Sequence, residues 1–132
     1  MKFKYKKYGP HILRPVIPVE IVYKGRSILY EVLVDSGADL CVFDAEIGEV
    51  LGIDVARGER QAIGGITGTK ESFFLHTITL KVGSVSHTAR VGFLPNMARM
   101  SYGVLGQQGF FDHFVVTFDF HKKEIKVSSR ER

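Results

Sequence analysis

Short β-rich runs, cut apart by turn residues, leave this chain little room to be anything but strands. Val16-Ile17-Pro18-Val19-Glu20-Ile21-Val22-Tyr23 reads as a strand, Lys24-Gly25-Arg26 as a turn, and Ser27 to Val34 as the returning arm of a hairpin. Pro18 has no backbone N–H to give a ladder, so the first strand lies at an edge or carries a bulge. Arg60 to Lys81 holds two more β segments around the glycine-dense turn Gly64-Gly65-Ile66-Thr67-Gly68. Gly83-Ser84 turns the chain into a strand from Val85 to Leu94, and Pro95 to Ser101 reads as an irregular loop. Val104-Leu105-Gly106 is a brief apolar strand, and Phe110 to Phe114 a helical turn. Val115 to Phe120 and Glu124 to Val127 close the chain as a hairpin around His121-Lys122-Lys123. A short helix suits residues 44–51, where Asp44 can cap the start and Gly52 can end it in the left-handed conformation. The pattern predicts a single all-β domain, closed or sandwiched.

Composition narrows the setting. At 132 residues and 45% hydrophobic, the chain can fill one compact core. No apolar run reaches the roughly 18–20 residues that a bilayer demands. The charged start, Met1 to Tyr8, leads into Gly9-Pro10 and not into the apolar stretch of a secretory signal. One cysteine, Cys41, excludes an internal disulfide and agrees with a reducing compartment; a cytoplasmic location is the expectation. The net charge of +4 gathers at the ends, with Lys2, Lys4, Lys6, Lys7, Arg14, Lys24 and Arg26 against Glu20 alone in residues 1–26. These ends read as solvated, partly disordered arms. Residues 1–15 are then a basic N-terminal arm or strand, 16–127 the domain, and 128–132 a charged tail. A nucleic-acid-binding barrel would show an aromatic–basic motif, and none is present, so nucleic acid and membrane are not expected partners.

Chemistry points to one place. In Val32-Leu33-Val34-Asp35-Ser36-Gly37-Ala38-Asp39 an apolar strand runs straight into an acid, a hydroxyl residue and a glycine. Such a strand delivers Asp35 at the edge of a low-dielectric core. Gly37 permits a sharp turn and a close backbone approach, and the Ser36 hydroxyl can tie the turn to a neighbouring backbone. As a bare tripeptide, Asp-Ser-Gly is an ordinary loop turn. The apolar lead-in distinguishes it, and Asp54, Asp112 and Asp119, which read as turn, cap or strand-surface residues, lack one.

The segment Asp35-Ser36-Gly37-Ala38-Asp39 resembles the active-site loop of retropepsins, the single-domain aspartic proteases typified by retroviral proteases. Ile63-Gly64-Gly65-Ile66-Thr67-Gly68 resembles the glycine-rich flap tip of that family, and Val104-Leu105-Gly106 its hydrophobic-hydrophobic-glycine segment. All three occur in the family's order, over roughly residues 16 to 127, with features of the bacterial and archaeal branch. The resemblance implies a closed acid-protease-type barrel with one or two short helices. It also implies an aspartic endopeptidase that hydrolyses peptides or unfolded proteins as a homodimer, one Asp35 from each copy, without metal or cofactor. Asp35 would be catalytic, and Ser36 and Gly37 would shape its loop. Ala38, Asp39, Ile63, Gly64, Gly65 and Ile66 would bind substrate, with Val104, Leu105 and Gly106 supporting the site from behind. One departure stands out: where retroviral members carry an arginine paired with the acid at Asp39, this chain has Gln107. A hydrogen bond from Gln107 to Asp39 would replace that pair at about half its strength. The alternative reading is a catalytically weak or inactive peptide-binding dimer of the same fold.

Other residues carry less. The five histidines have no His-x-x-x-His spacing and no Cys-x-x-Cys beside them, so no metal site is expected. Cys41, inside Leu40-Cys41-Val42-Phe43, reads as a buried small hydrophobe. The Gly64–Gly68 cluster lacks the Gly-Lys-Ser/Thr of a phosphate cradle. Phe110, Phe111 and Phe114 read as core.

Overall fold

The first 14 residues, expected as a basic arm or strand, form three strands: β1 (Lys2–Lys4), β2 (Lys6–Gly9) and β3 (Ile12–Arg14). The computed structural model describes residues 1–64, 70–97 and 102–130. Lysines at 2 and 4 face solvent while Phe3 and Tyr5 pack against the core, a period of two that suits a strand. The remaining elements are β4 (Val16–Tyr23), β5 (Arg26–Val34), β6 (Val42–Asp44), a short helix α1 (Ala45–Val50) and a 3₁₀ turn at Val55–Arg57. They are followed by β7 (Glu59–Gly64), β8 (Lys70–Val82), β9 (Val85–Leu94), β10 (Gly103–Leu105), β11 (Phe114–Asp119) and β12 (Glu124–Ser129).

Six strands close a barrel in the order β4-β5-β10-β6-β9-β8, with β8 returning to β4 through Glu20↔Lys81, Ile21↔Leu80 and Val22↔Thr79. β7 continues beyond the ring as the second arm of a long hairpin with β8. A second sheet, β1-β12-β11, and the small β2–β3 hairpin complete the chain. The interior is apolar throughout; Ile17, Ile21, Phe43, Phe93, Leu105, Phe110 and Phe114 are among its fully buried side chains.

Local chemistry explains the elements. Lys24 and Gly25 both take positive φ (44° and 80°), which makes a two-residue turn whose twist matches the strands. Arg26 therefore enters β5 one residue earlier than expected. Pro18 faces solvent on the stretch of β4 that precedes its pairing with β8, so its missing N–H leaves no ladder bond unmade. Asp44 caps α1 by accepting from the Glu46 N–H at 3.0 Å, and Gly52 follows at φ +83°. The helical turn expected at Phe110–Phe114 shrinks to two bonds onto the Phe110 carbonyl, from His113 N at 2.9 Å and Phe114 N at 3.1 Å, where β11 begins. The chain there is held in wider turns, Phe111 N to Gly106 O and Asp112 N to Gln107 O, with Gly109 at φ +98°. No helix continues through such a kink.

Candidate active site

β5 and β10 run parallel and side by side, Val32↔Gly103, Leu33↔Val104 and Val34↔Leu105, so their carboxyl ends emerge together. Leu105 is fully buried and Val34 nearly so, and these apolar ends fix the exit point of the chain into the loop that begins at Asp35. The Asp35 N–H donates to the Leu105 carbonyl at 3.0 Å, extending the ladder by one residue. Asp35 itself is half-buried, less enclosed than the apolar lead-in suggests.

The turn is tied by the acid and not by the hydroxyl. Asp35 Oδ1 accepts from the Gly37 N–H at 2.9 Å, and the Asp35 carbonyl accepts from Ala38 N at 3.1 Å. The Ser36 side chain is exposed and makes no hydrogen bond among the described residues. The loop continues through half-buried Ala38 and exposed Asp39, then returns to the barrel as β6.

The segment after β10 runs through the mouth of this loop. Gln107 N donates to the Ala38 carbonyl at 2.8 Å, Gln108 N to the Asp39 carbonyl at 3.0 Å, and Cys41 N to the Gln108 carbonyl at 3.3 Å. Leu40 and Gln108 form an isolated parallel bridge. Only glycine fits at 106: a Cβ there would overlap the Leu40 carbonyl oxygen and stand 2.8 Å from that of Ala38. Val104, Leu105 and Gly106 thus lie directly behind the Asp35 loop.

Gln107 does not take the expected partner. Its amide Nε2 donates to the Ser36 carbonyl at 2.9 Å and stiffens the turn beside Asp35. The Asp39 carboxylate has no hydrogen bond or ion pair among the described residues.

Ile63 and Gly64 close β7, paired with Glu71 and Lys70 of β8. Gly65 and Ile66, the rest of the expected flap tip, lie outside the described residues. Sequence reasoning missed Gln61, Arg90 and Gln108, which line a pocket with Asp39, Leu40 and Leu75. They come from separate elements, and no spacing in the chain relates them.

Cys41 is fully buried against this junction, its Sγ 3.4 Å from the Gly106 nitrogen and 3.5 Å from the Gln108 carbonyl oxygen. Burial pushes its thiol up to about 12, with the Gly106 N–H pulling the other way. Such a thiol is inert as a nucleophile and serves as core, as its apolar neighbours predict. Among the described residues no group of three or more histidine, cysteine or acidic side chains could hold a metal ion.

A closed six-strand barrel with an Asp-Ser-Gly loop at the shared end of two parallel strands defines the retropepsin-like class of aspartic protease folds. The family model described as aspartyl protease matches residues 17–108, and the chain belongs to that family. Among solved structures, a retropepsin-like aspartic protease from Rickettsia conorii is similar at 15% identity and TM-score 0.66, with 97% of each chain covered. The retroviral protease-like domain of Ddi1 from Leishmania major is similar at 14% identity and TM-score 0.61, covering 90% of each chain. The EIAV protease, solved with the inhibitor HBY-793, is similar at 24% identity and TM-score 0.53, covering 77% of this chain and 88% of its own. No match is found among curated proteins.

Proposed function

We propose that the chain is an aspartic endopeptidase that works as a homodimer, each subunit contributing Asp35 to one shared site. Hydrolysing a peptide bond without a metal or a nucleophilic side chain needs a base to activate water and an acid to polarise the carbonyl. Two carboxylates sharing one proton supply both, because like charges at close range do not both ionise. The chain carries a single Asp-Ser-Gly and no Asp-Thr-Gly, so the second carboxylate is Asp35 of another copy related by a two-fold axis.

The observation that carries this reading is the Asp35 loop itself. A half-buried carboxylate stands at the end of a core strand, on a turn held by backbone bonds from Gln107 and Gln108 and by the Gln107 amide. In this reading Ser36 and Gly37 shape the turn, and Ala38 and Asp39 line the groove. Val104, Leu105 and Gly106 brace the loop, while the β7–β8 arm, with Ile63 and Gly64 near its end, closes over an extended peptide bound by strand addition. Family membership supports the peptidase chemistry. Gln107 in place of arginine, its amide spent on Ser36, favours the second reading, a peptide-binding dimer of the same fold that cleaves little.

The test is an unfolded protein substrate offered to the wild type and to Asp35→Asn across the acidic to neutral range, about pH 4 to 7. Cleavage by the wild type, blocked by a statine-type transition-state mimic and reduced by roughly 10²–10⁴-fold in the variant, is the expected result. No cleavage at any pH, at concentrations where the protein is a dimer by sedimentation, would leave the binding module as the reading.

A further inference from the structure

We infer that Gln107 is a positioning residue for Asp35, acting through the single peptide group that joins Ser36 to Gly37; the inference rests on the peptidase reading above. That peptide is hydrogen-bonded at both ends. Its carbonyl, on Ser36, accepts from the Gln107 side-chain amide at 2.9 Å, and its N–H, on Gly37, donates to Asp35 Oδ1 at 2.9 Å. Side-chain amide, peptide and carboxylate thus form one continuous chain of three groups. Every member belongs to the same subunit, so each copy of a dimer carries the full set.

The two ends of a peptide group are coupled electronically and mechanically. Resonance lets a donor on the carbonyl leave the N–H more polar, and so a better donor itself. Planarity means that fixing the carbonyl oxygen also fixes the direction of the N–H. Gln107 can exert that hold because its own backbone is tied at both groups. Its N–H donates to the Ala38 carbonyl at 2.8 Å, and its carbonyl accepts from Asp112 N at 3.0 Å. Gly106 before it has no room for a side chain, which sets the point from which Gln107 reaches out. At the far end, a Cβ on Gly37 would stand 3.3 Å from Asp35 Oδ1, a tight contact, so glycine lets the N–H stay close to that oxygen. Ser36 and Gln107 are both exposed in the subunit, and water could take the amide's place on the Ser36 carbonyl. A mobile water does not hold the plane of the peptide. What Gln107 contributes is therefore the aim of the Gly37 N–H, and with it the orientation of the Asp35 carboxylate.

The experiment compares the full-length wild type with Gln107→Met and Gln107→Glu at dimer-forming concentration, on a quenched fluorescent peptide that the wild type cleaves. Methionine keeps the length of the side chain and loses the donor. Gln107→Met is expected to lower kcat about tenfold while KM stays within about twofold. The acid limb of its kcat/KM profile should move up by about 0.3 pH unit, the size expected when one charge-assisted bond weakens by roughly a fifth. In Gln107→Glu the new carboxyl donates only while protonated. Its activity relative to the wild type should be highest near pH 4 and fall as pH rises through the ordinary glutamate range. The Gly37 amide proton, followed by NMR without any turnover, should move upfield in Gln107→Met as its bond to Asp35 weakens. Should Gln107→Met fail to fold, the pH dependence of Gln107→Glu decides the matter. An unmoved Gly37 amide, or pH profiles that match the wild type whatever happens to Tm, would overturn the positioning role and leave the peptidase reading standing. A wild type that cleaves no peptide would overturn that reading and the positioning role with it.

Discussion

Cys41 stands where the Asp35 loop turns back into the barrel, and its thiol shows how deeply that junction is enclosed. The ordinary thiol value is 9.0, and burial raises it to about 12 in the folded chain. Between those two values the unfolded chain has released the thiol proton while the folded chain still holds it. The folded state then binds more protons, so stability is intact below about pH 9 and is lost progressively as pH rises toward about 12. Denaturant titrations should show unfolding free energy falling by up to about 1.4 kcal/mol per pH unit in that window, beyond whatever Cys41→Ala shows. Equal slopes in the two proteins would mean that the thiol is not enclosed as described. A thiol reagent should label the native protein only at the rate at which it opens.

Between elements, the least expected partnership joins the two ends of the chain. β1 lies against β12 through Lys2↔Lys126, Phe3↔Ile125 and Lys4↔Glu124, and the Met1 amino group donates to the Val127 carbonyl at 2.8 Å. Removing residues 1–4 bares one edge of β12 and uncovers the apolar contact of Phe3. The expected loss is about 2–3 kcal/mol, or roughly 8–12 °C in Tm by calorimetry. An unchanged Tm would mean that β1 contributes nothing to the domain. The long strands were readable from the sequence because each alternates or carries its own turn: β4 and β9 run over the expected residues, and Asp44 and Gly52 bound α1 as their chemistry dictates. β1 was not readable, since lysines around one phenylalanine look the same in a strand and in a solvated arm. Only a partner more than a hundred residues away distinguishes them.

For the whole molecule, the proposed chemistry requires more than this one chain. A single Asp35 cannot be acid and base together, so activity should depend on the fraction of chains that are paired. Diluting the protein from micromolar to nanomolar should lower its specific activity along the same curve that sedimentation gives for dimer dissociation. Activity constant down to fully monomeric protein would exclude a site shared between subunits. The Asp35 loop and the glycine behind it were legible in the sequence, because three short motifs in a fixed order carry them. The target of Gln107 was not, because Ser36 lies 71 residues earlier and a backbone carbonyl leaves no trace in the sequence. The polar pocket was equally hidden, its six residues being scattered over the loop, three strands and the segment after β10.

The bonds that span the loop at Ala38 and Asp39 are between backbone groups, from Gln107 N and Gln108 N. Side chains at Asp39, Leu40 and Gln108 can therefore be exchanged while the frame that presents Asp35 stays in place. Gly106 is held fixed by sterics. In a lineage under pressure to recognise new targets, such a loop separates what must be kept from what can drift, and specificity becomes free to evolve around an unchanged carboxylate.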